Sequence, residues 1–92
     1  SNGTGDLLTR FWLAEANEKL GRQQDAIRWY GLLMSTYLRS YAHYHRAQLA
    51  EEIGDTALAL SEWEKLLLNL STADADDPRP AEARAALARL GG

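Results

Sequence analysis

The side chains of this 92-residue chain that could do chemistry are two histidines, a cluster of aspartates and a spread of glutamates, with no cysteine. His43 and His45 lie two positions apart, so on a helix their rings leave in opposite directions and cannot converge on one ion. Neither has a carboxylate or a second histidine one turn on, since His43 meets Ala47 and His45 meets Leu49. They read as ordinary surface or inter-helix histidines, and no metal is expected. Asp74, Asp76 and Asp77 resemble the opening of a calcium loop, but its glycine and closing glutamate are missing. Helix capping and a solvated linker account for them better. Ser61, Ser71 and Thr72 read as surface and turn residues, because no nucleophile elbow, phosphate-cradling glycine loop or HExxH motif surrounds them. The expectation is a chain that is not an enzyme and takes no cofactor.

Helices must position whatever these residues do. Apolar residues make up 46% of the chain, enough for a core and too many for a disordered tail. The net charge of −3 comes from interspersed acids and bases, so no basic stripe exists to neutralise phosphates, and nucleic acid is not an expected partner. No apolar run approaches the ~20 residues of a membrane span, and no signal peptide is seen. The expected setting is cytoplasmic. Beta-branched residues are scarce, with no valine and only Ile27 and Ile53 as isoleucines, so no strand pattern competes.

Five helices are predicted. The first covers 7–20, after a Thr4-Gly5-Asp6 lead-in whose aspartate can cap it, and Gly21 ends it. The second runs from 22 or 23 to 38, with Ala26, Tyr30, Leu33 and Tyr37 on one face and a break at Arg39-Ser40. The third, 41–53, is closed by Gly54. Asp55 caps the fourth, 56–70, whose face is Ala59, Trp63, Leu66, Leu67 and Leu70. Residues 71–77 are polar and not helical throughout. Pro78 and Pro80 permit only a helix start, with Asp77 as cap, before an alanine-rich helix over 81–90 that Gly91-Gly92 ends. The leading Ser1-Asn2-Gly3 reads as an expression scar, and the chain as a fragment of a longer protein.

A 33-residue echo runs through these helices. Leu20-Gly21 returns as Ile53-Gly54, Ala14 as Ala47, Glu18 as Glu51, Ala26 as Ala59 and Ile27 as Leu60. Tyr30 returns as Trp63, Leu33 as Leu66, Met34 as Leu67 and Phe11 as Tyr44. Such a period signals stacked helical units, each burying its apolar face on the next. The unit resembles the tetratricopeptide repeat. Small residues Ala14 and Ala47 let paired helices approach, Gly21 and Gly54 reverse the chain, Ala26 and Ala59 sit at the crossing, and Tyr30 and Trp63 fill the space between. The resemblance implies an all-α fold, with antiparallel helix–turn–helix repeats stacked as a short right-handed solenoid of about five helices. Its parts are a lead-in (1–6), a first repeat (7–39), a second (40–71), an acidic, proline-containing linker (72–79) and a C-terminal capping helix (80–92). The chain departs from the pattern at Arg10 and His43, where tryptophan is usual, at Arg46, where leucine is usual, and at Leu38, near the usual proline. The tail, from Trp63-Glu64-Lys65 through Leu87-Ala88-Arg89-Leu90, is similar to the ends of repeat arrays in bacterial multidomain regulators, including some serine/threonine kinases.

The resemblance further implies that the first helix of each pair lines a concave groove. Its residues would be Leu8, Phe11, Glu15, Glu18 and Lys19 from the first unit and Tyr41, Tyr44, Gln48, Glu51 and Glu52 from the second. Helical spacing puts most of each set on one face. A groove aromatic at one end and acidic at the other suits a protein or peptide partner bearing apolar anchors and Lys or Arg. It lacks the Lys and Asn set of family members that hold acidic chaperone tails. Alternatively, the carboxylates are a solvated face and the aromatics pack on a neighbouring repeat. Trp63 reads as core and Trp29 as edge. The alternative to a groove ligand is a structural role, mediating self-association of the parent protein; Leu7, Leu8, Phe11 and Trp12 form an apolar N-terminal face for a homo-oligomer.

Overall fold

The computed structural model describes residues 6–70 and 74–91, and no strand occurs among the described residues. Five helices follow in order: α1 (Leu7–Lys19), α2 (Gln23–Gly31), α3 (Arg39–Glu52), α4 (Thr56–Asn69) and α5 (Arg79–Gly91). The Ser1-Asn2-Gly3 start, Thr4-Gly5, the Ser71-Thr72 turn and Gly92 lie outside the described residues. Each helix packs chiefly on its neighbours in sequence, giving a body of 43 × 29 × 18 Å. No described helix is long and apolar enough to cross a membrane.

The α1–α2 and α3–α4 turns are built from one local device. Gly21 and Gly54 have φ of 77° and 80°. Gly21 N–H donates to the Glu18 carbonyl at 3.1 Å and Arg22 N–H to the Asn17 carbonyl at 2.8 Å. One unit later, Gly54 donates to Glu51 at 3.1 Å and Asp55 to Ala50 at 2.8 Å. These crossed bonds satisfy the last carbonyls of each helix and require a left-handed residue just past its end. A Cβ at either glycine would meet nothing within 4 Å, so conformation, not space, selects glycine.

The helix starts differ. Asp55 caps α4, its side chain accepting from Leu58 N–H at 3.1 Å. Arg22, at the equivalent place before α2, has no acceptor to offer. Asp6 does not cap α1 with its carboxylate as expected; only its backbone carbonyl is used, accepting from Arg10 N–H at 3.0 Å. Before α5, Asp77 accepts from Arg79 N–H at 3.0 Å, and Pro80 falls in the first turn.

The second helix corrects the sequence reading most. It stops at Gly31 instead of reaching Leu38, and Arg39-Ser40, the expected break, opens α3. Residues 32–38 form tight turns. Leu32 N–H bonds to the Trp29 carbonyl and Leu33 N–H to Tyr30, a three-residue reach that tightens the chain. Thr36 Oγ1 donates to the Leu33 carbonyl at 2.7 Å and accepts from Leu38 N–H at 3.1 Å, competing with helical bonds. Two arginines from other helices secure the loosened end. Arg46 Nη1 donates to the Ile27 carbonyl at 3.1 Å, and Arg10 Nη1 to the Leu32 carbonyl at 2.9 Å. A Cβ at Gly31 would collide with Arg46 Nη1, so glycine lets the guanidinium lie against the α2 backbone. Tyr37 is consequently off the helix and 85% exposed, while Leu33 is still buried from the turn.

Two apolar clusters form the core. Ala14, Ala26, Ile27, Tyr30 and Leu33 meet Ala42 and Leu49 in the first, and Ala47, Ala50, Ala59, Trp63 and Leu66 meet Ala83 and Ala86 in the second. Helix α3 therefore serves both, through opposite sides. Replacing Gly21 or Gly54 by Ala should lower stability by about 1 kcal/mol each, through the left-handed backbone alone. A thermal melt would register this as a fall in Tm of roughly 4–8 °C per substitution.

Candidate functional site

Two large aromatics carry polar hydrogens into the core. Tyr30 of α2 is fully buried and Trp63 of α4 nearly so. A buried donor without an acceptor costs about 1–3 kcal/mol, so each must find one. Tyr30 O–H donates to Glu18 Oε1 at 2.6 Å, and Trp63 Nε1–H to Glu51 Oε2 at 2.7 Å. Each bond crosses from the second helix of a pair to the first, and the two are 33 residues apart in register.

Both carboxylates also take a group from the next helix. His45 Nδ1 of α3 lies 2.9 Å from Glu18 Oε1, and Arg89 Nη1 of α5 donates to Glu51 Oε1 at 2.8 Å. Hydrogen bonding from Arg89, reinforced by Trp63, holds the Glu51 carboxyl below its ordinary 4.5 despite partial burial. The same bond raises the Arg89 guanidinium above its ordinary range.

Around these clamps an aromatic strip runs over α1 and α3, backed by Tyr30 of α2 and Trp63 of α4, with Glu82 of α5 at its edge. Phe11 and Tyr41 have ring centroids 5.5 Å apart, Tyr41 and His45 4.2 Å, and Tyr30 and His45 5.0 Å. Tyr44 packs edge-on against Trp63 at 5.9 Å. Tyr41 O–H donates to Glu15, and Tyr44 O–H to Glu82 Oε1 at 2.8 Å. Burial, then the neighbouring carboxylate, pushes all three phenols upward: Tyr30 by Glu18, Tyr41 by Glu15 and Tyr44 by Glu82. They remain neutral donors at physiological pH.

The structure thus joins Phe11, Glu15, Glu18 and Tyr41, and separately Tyr44 and Glu51, with half-buried Gln48 beside Tyr44. The expected acidic end is changed in character, because Glu18 and Glu51 are inter-helix acceptors. Glu52 turns to the start of α2, accepting from Gln23 Nε2 at 2.5 Å, and Lys19 is exposed. Leu8 lies by a cavity of about 450 Å³ at the N-terminal end, with Leu7, Phe11, Tyr37 and Leu38. Glu82 and Arg89 of α5 were not anticipated on this face.

A second polar group was also missed. His43, read as lacking a carboxylate, has one delivered by α4: Nδ1 lies 2.7 Å from Glu62 Oε1, and both side chains are buried. Arg46 Nε stands 3.4 Å from the same oxygen, and Lys65 Nζ is 3.8 Å from Glu62 Oε2. A signal was present, since Glu62 interrupts the apolar series of Ala59, Trp63 and Leu66. His43 and Glu62 are sealed between α3 and α4, and Arg46 links them to the α2 backbone. Among the described residues no three His, Asp or Glu side chains converge as metal ligands. Compared with known proteins, the chain matches no family model, no curated protein and no solved structure.

Removing Glu62 leaves buried His43 Nδ1 without its partner and takes the opposite charge from part-buried Arg46. Glu62→Leu should cost about 3 kcal/mol, and Glu62→Gln, which keeps an acceptor, less; urea unfolding measures both. Glu51 makes stability depend on acid. Its folded value is depressed, so its contribution is present above 4.5 and fades as pH falls through the folded value. The stability gap between wild type and Arg89→Met, measured by thermal melts, should therefore shrink as pH drops below 4.5.

Proposed function

We propose that the chain is a tetratricopeptide-type protein-interaction module, with two helix–turn–helix repeats stacked as a short right-handed solenoid and α5 as the capping helix. The supporting observation is the doubled aromatic-to-carboxylate bond, Tyr30 to Glu18 and Trp63 to Glu51, set beside the doubled glycine turn at the same period. Two units that repeat both turn and clamp are units that stack.

The ligand face in this reading is the strip of Phe11, Tyr41 and Tyr44, edged by Glu15, Gln48 and Glu82. Glu15 and Glu82 each commit one oxygen to a tyrosine, leaving the other to accept from a ligand. Half-buried aromatic rings supply apolar contact with little side-chain entropy to lose. The partner that fits is a peptide or exposed segment with an aromatic or leucine anchor next to Lys or Arg.

Selection from a random peptide library should enrich such basic–apolar sequences. Calorimetry with a selected peptide should show binding that weakens with salt, and Glu82→Lys should raise Kd about tenfold, roughly 1.4 kcal/mol, without loss of helicity. Enrichment of acidic peptides, or an unchanged Kd in the variant, would overturn the reading.

A further inference from the structure

One row on α1 lies open where its counterpart 33 residues on is covered. Leu8, Trp12, Ala16 and Leu20 recur every four residues along α1 and its C-cap, and all four are exposed. Leu8 is 53%, Trp12 62% and Leu20 67% exposed. Thirty-three residues on, the row reads Tyr41, His45, Leu49 and Ile53. Those residues are overlaid by α1 and α2. Leu49 is buried in the first apolar cluster with Tyr41 and Ile53 packed against it, and His45 stacks on Tyr30. The row is thus a surface of the kind on which another helix rests.

Its chemistry narrows the occupant. Tyr41 and His45 meet Glu15 and Glu18 of the unit that covers them. Their counterparts Leu8 and Trp12 replace a hydroxyl and an imidazole with a hydrocarbon and an indole, so the cover for α1 needs little beyond apolar surface. The row itself is such a surface.

We propose that two copies of the chain pair through this row, with their α1 helices antiparallel about a twofold axis. A twofold contact demands a self-complementary patch. With the axis level with Ala14, Trp12 of each copy meets Ala16 of the other, large against small, and Leu8 meets Leu20. The exposed charges agree with this direction, because Asp6 stands at one end of α1 and Lys19 and Arg22 at the other. Antiparallel pairing sets opposite charges and opposed helix dipoles together, whereas parallel pairing would set like against like. The cavity beside Leu8, lined also by Tyr37 and Leu38, extends the apolar surface. Head-to-tail stacking is closed off. The second unit's equivalent of the covering surface is taken by α5, whose Ala83 and Ala86 enter the second cluster and whose Arg89 holds Glu51. The contact therefore ends at two copies; its row shares no residue with the proposed peptide strip, which it adjoins at Phe11 on the wall of that cavity.

Sedimentation and light scattering from micromolar to millimolar concentration should give about twice the 10.2 kDa chain mass. Ala16→Glu and Trp12→Lys, each at an exposed position, should each halve that mass with unchanged helicity. Combining them places Glu opposite Lys in the antiparallel pair and should restore the dimer. A wild-type chain that stays monomeric would assign the row to a different protein and overturn the proposal. So would a mass that climbs past the dimer, or a double variant that remains monomeric.

Discussion

Burying a phenol and an indole between paired helices imposes the constraint from which the rest of the arrangement follows. Their apolar bodies fill the space that Ala14, Ala26, Ala47 and Ala59 leave, yet each carries a hydrogen that must be accepted inside. Glu18 and Glu51 accept, which fixes the side chains of α1 against α2 and of α3 against α4. A carboxylate drawn partly out of water in turn favours further polar partners. His45 and Arg89 fill that place, and both come from the helix that follows the pair. A single acid in each unit therefore ties three helices, and order along the chain becomes order in space.

Helix α3 carries the consequence. Because it closes the first cluster and opens the second, two of its sides are buried, through Ala42 and Leu49 on one and Ala47 and Ala50 on the other. Small residues bring backbones close but contribute little apolar area each. The His43–Glu62–Arg46 cluster adds the directional contacts that these alanines lack. Arg10, His43 and Arg46 share this work. Arg10 and Arg46 hold carbonyls of the α2 end, and His43 and Arg46 meet Glu62. Polar groups among the helices thus supply hydrogen bonds and ion pairing where the alanines supply little apolar area.

How much of this could be read in the residues varied with distance along the chain. The turns at Gly21 and Gly54 were legible because every bond in them spans at most five residues and needs one left-handed position. The end of α2 was not. The periodicity of Ala26, Tyr30 and Leu33 runs on past Gly31, while the arginines that secure the shortened end come from other helices. The candidate face was half legible. Phe11, Glu15 and Tyr41 were placed on one face by the repeat resemblance, but Glu82 and Arg89 lie 38 residues from Tyr44 and Glu51, beyond a linker whose path no periodicity specifies.

Local chemistry in the sequence by itself determined the helical class, the two glycine reversals, the Asp55 cap and the 33-residue period, since each depends on residues within a few positions of one another. Only the tertiary structure decided which acids are occupied. Glu18, Glu51 and Glu62 are the same residue type as Glu52 and Glu64, and although Glu62 interrupts an apolar series, no residue near it in sequence names the partner it takes. What separates them is whether packing brings a buried donor or a cation within hydrogen-bond reach, and in a low-dielectric interior that proximity turns a solvated carboxylate into a structural one.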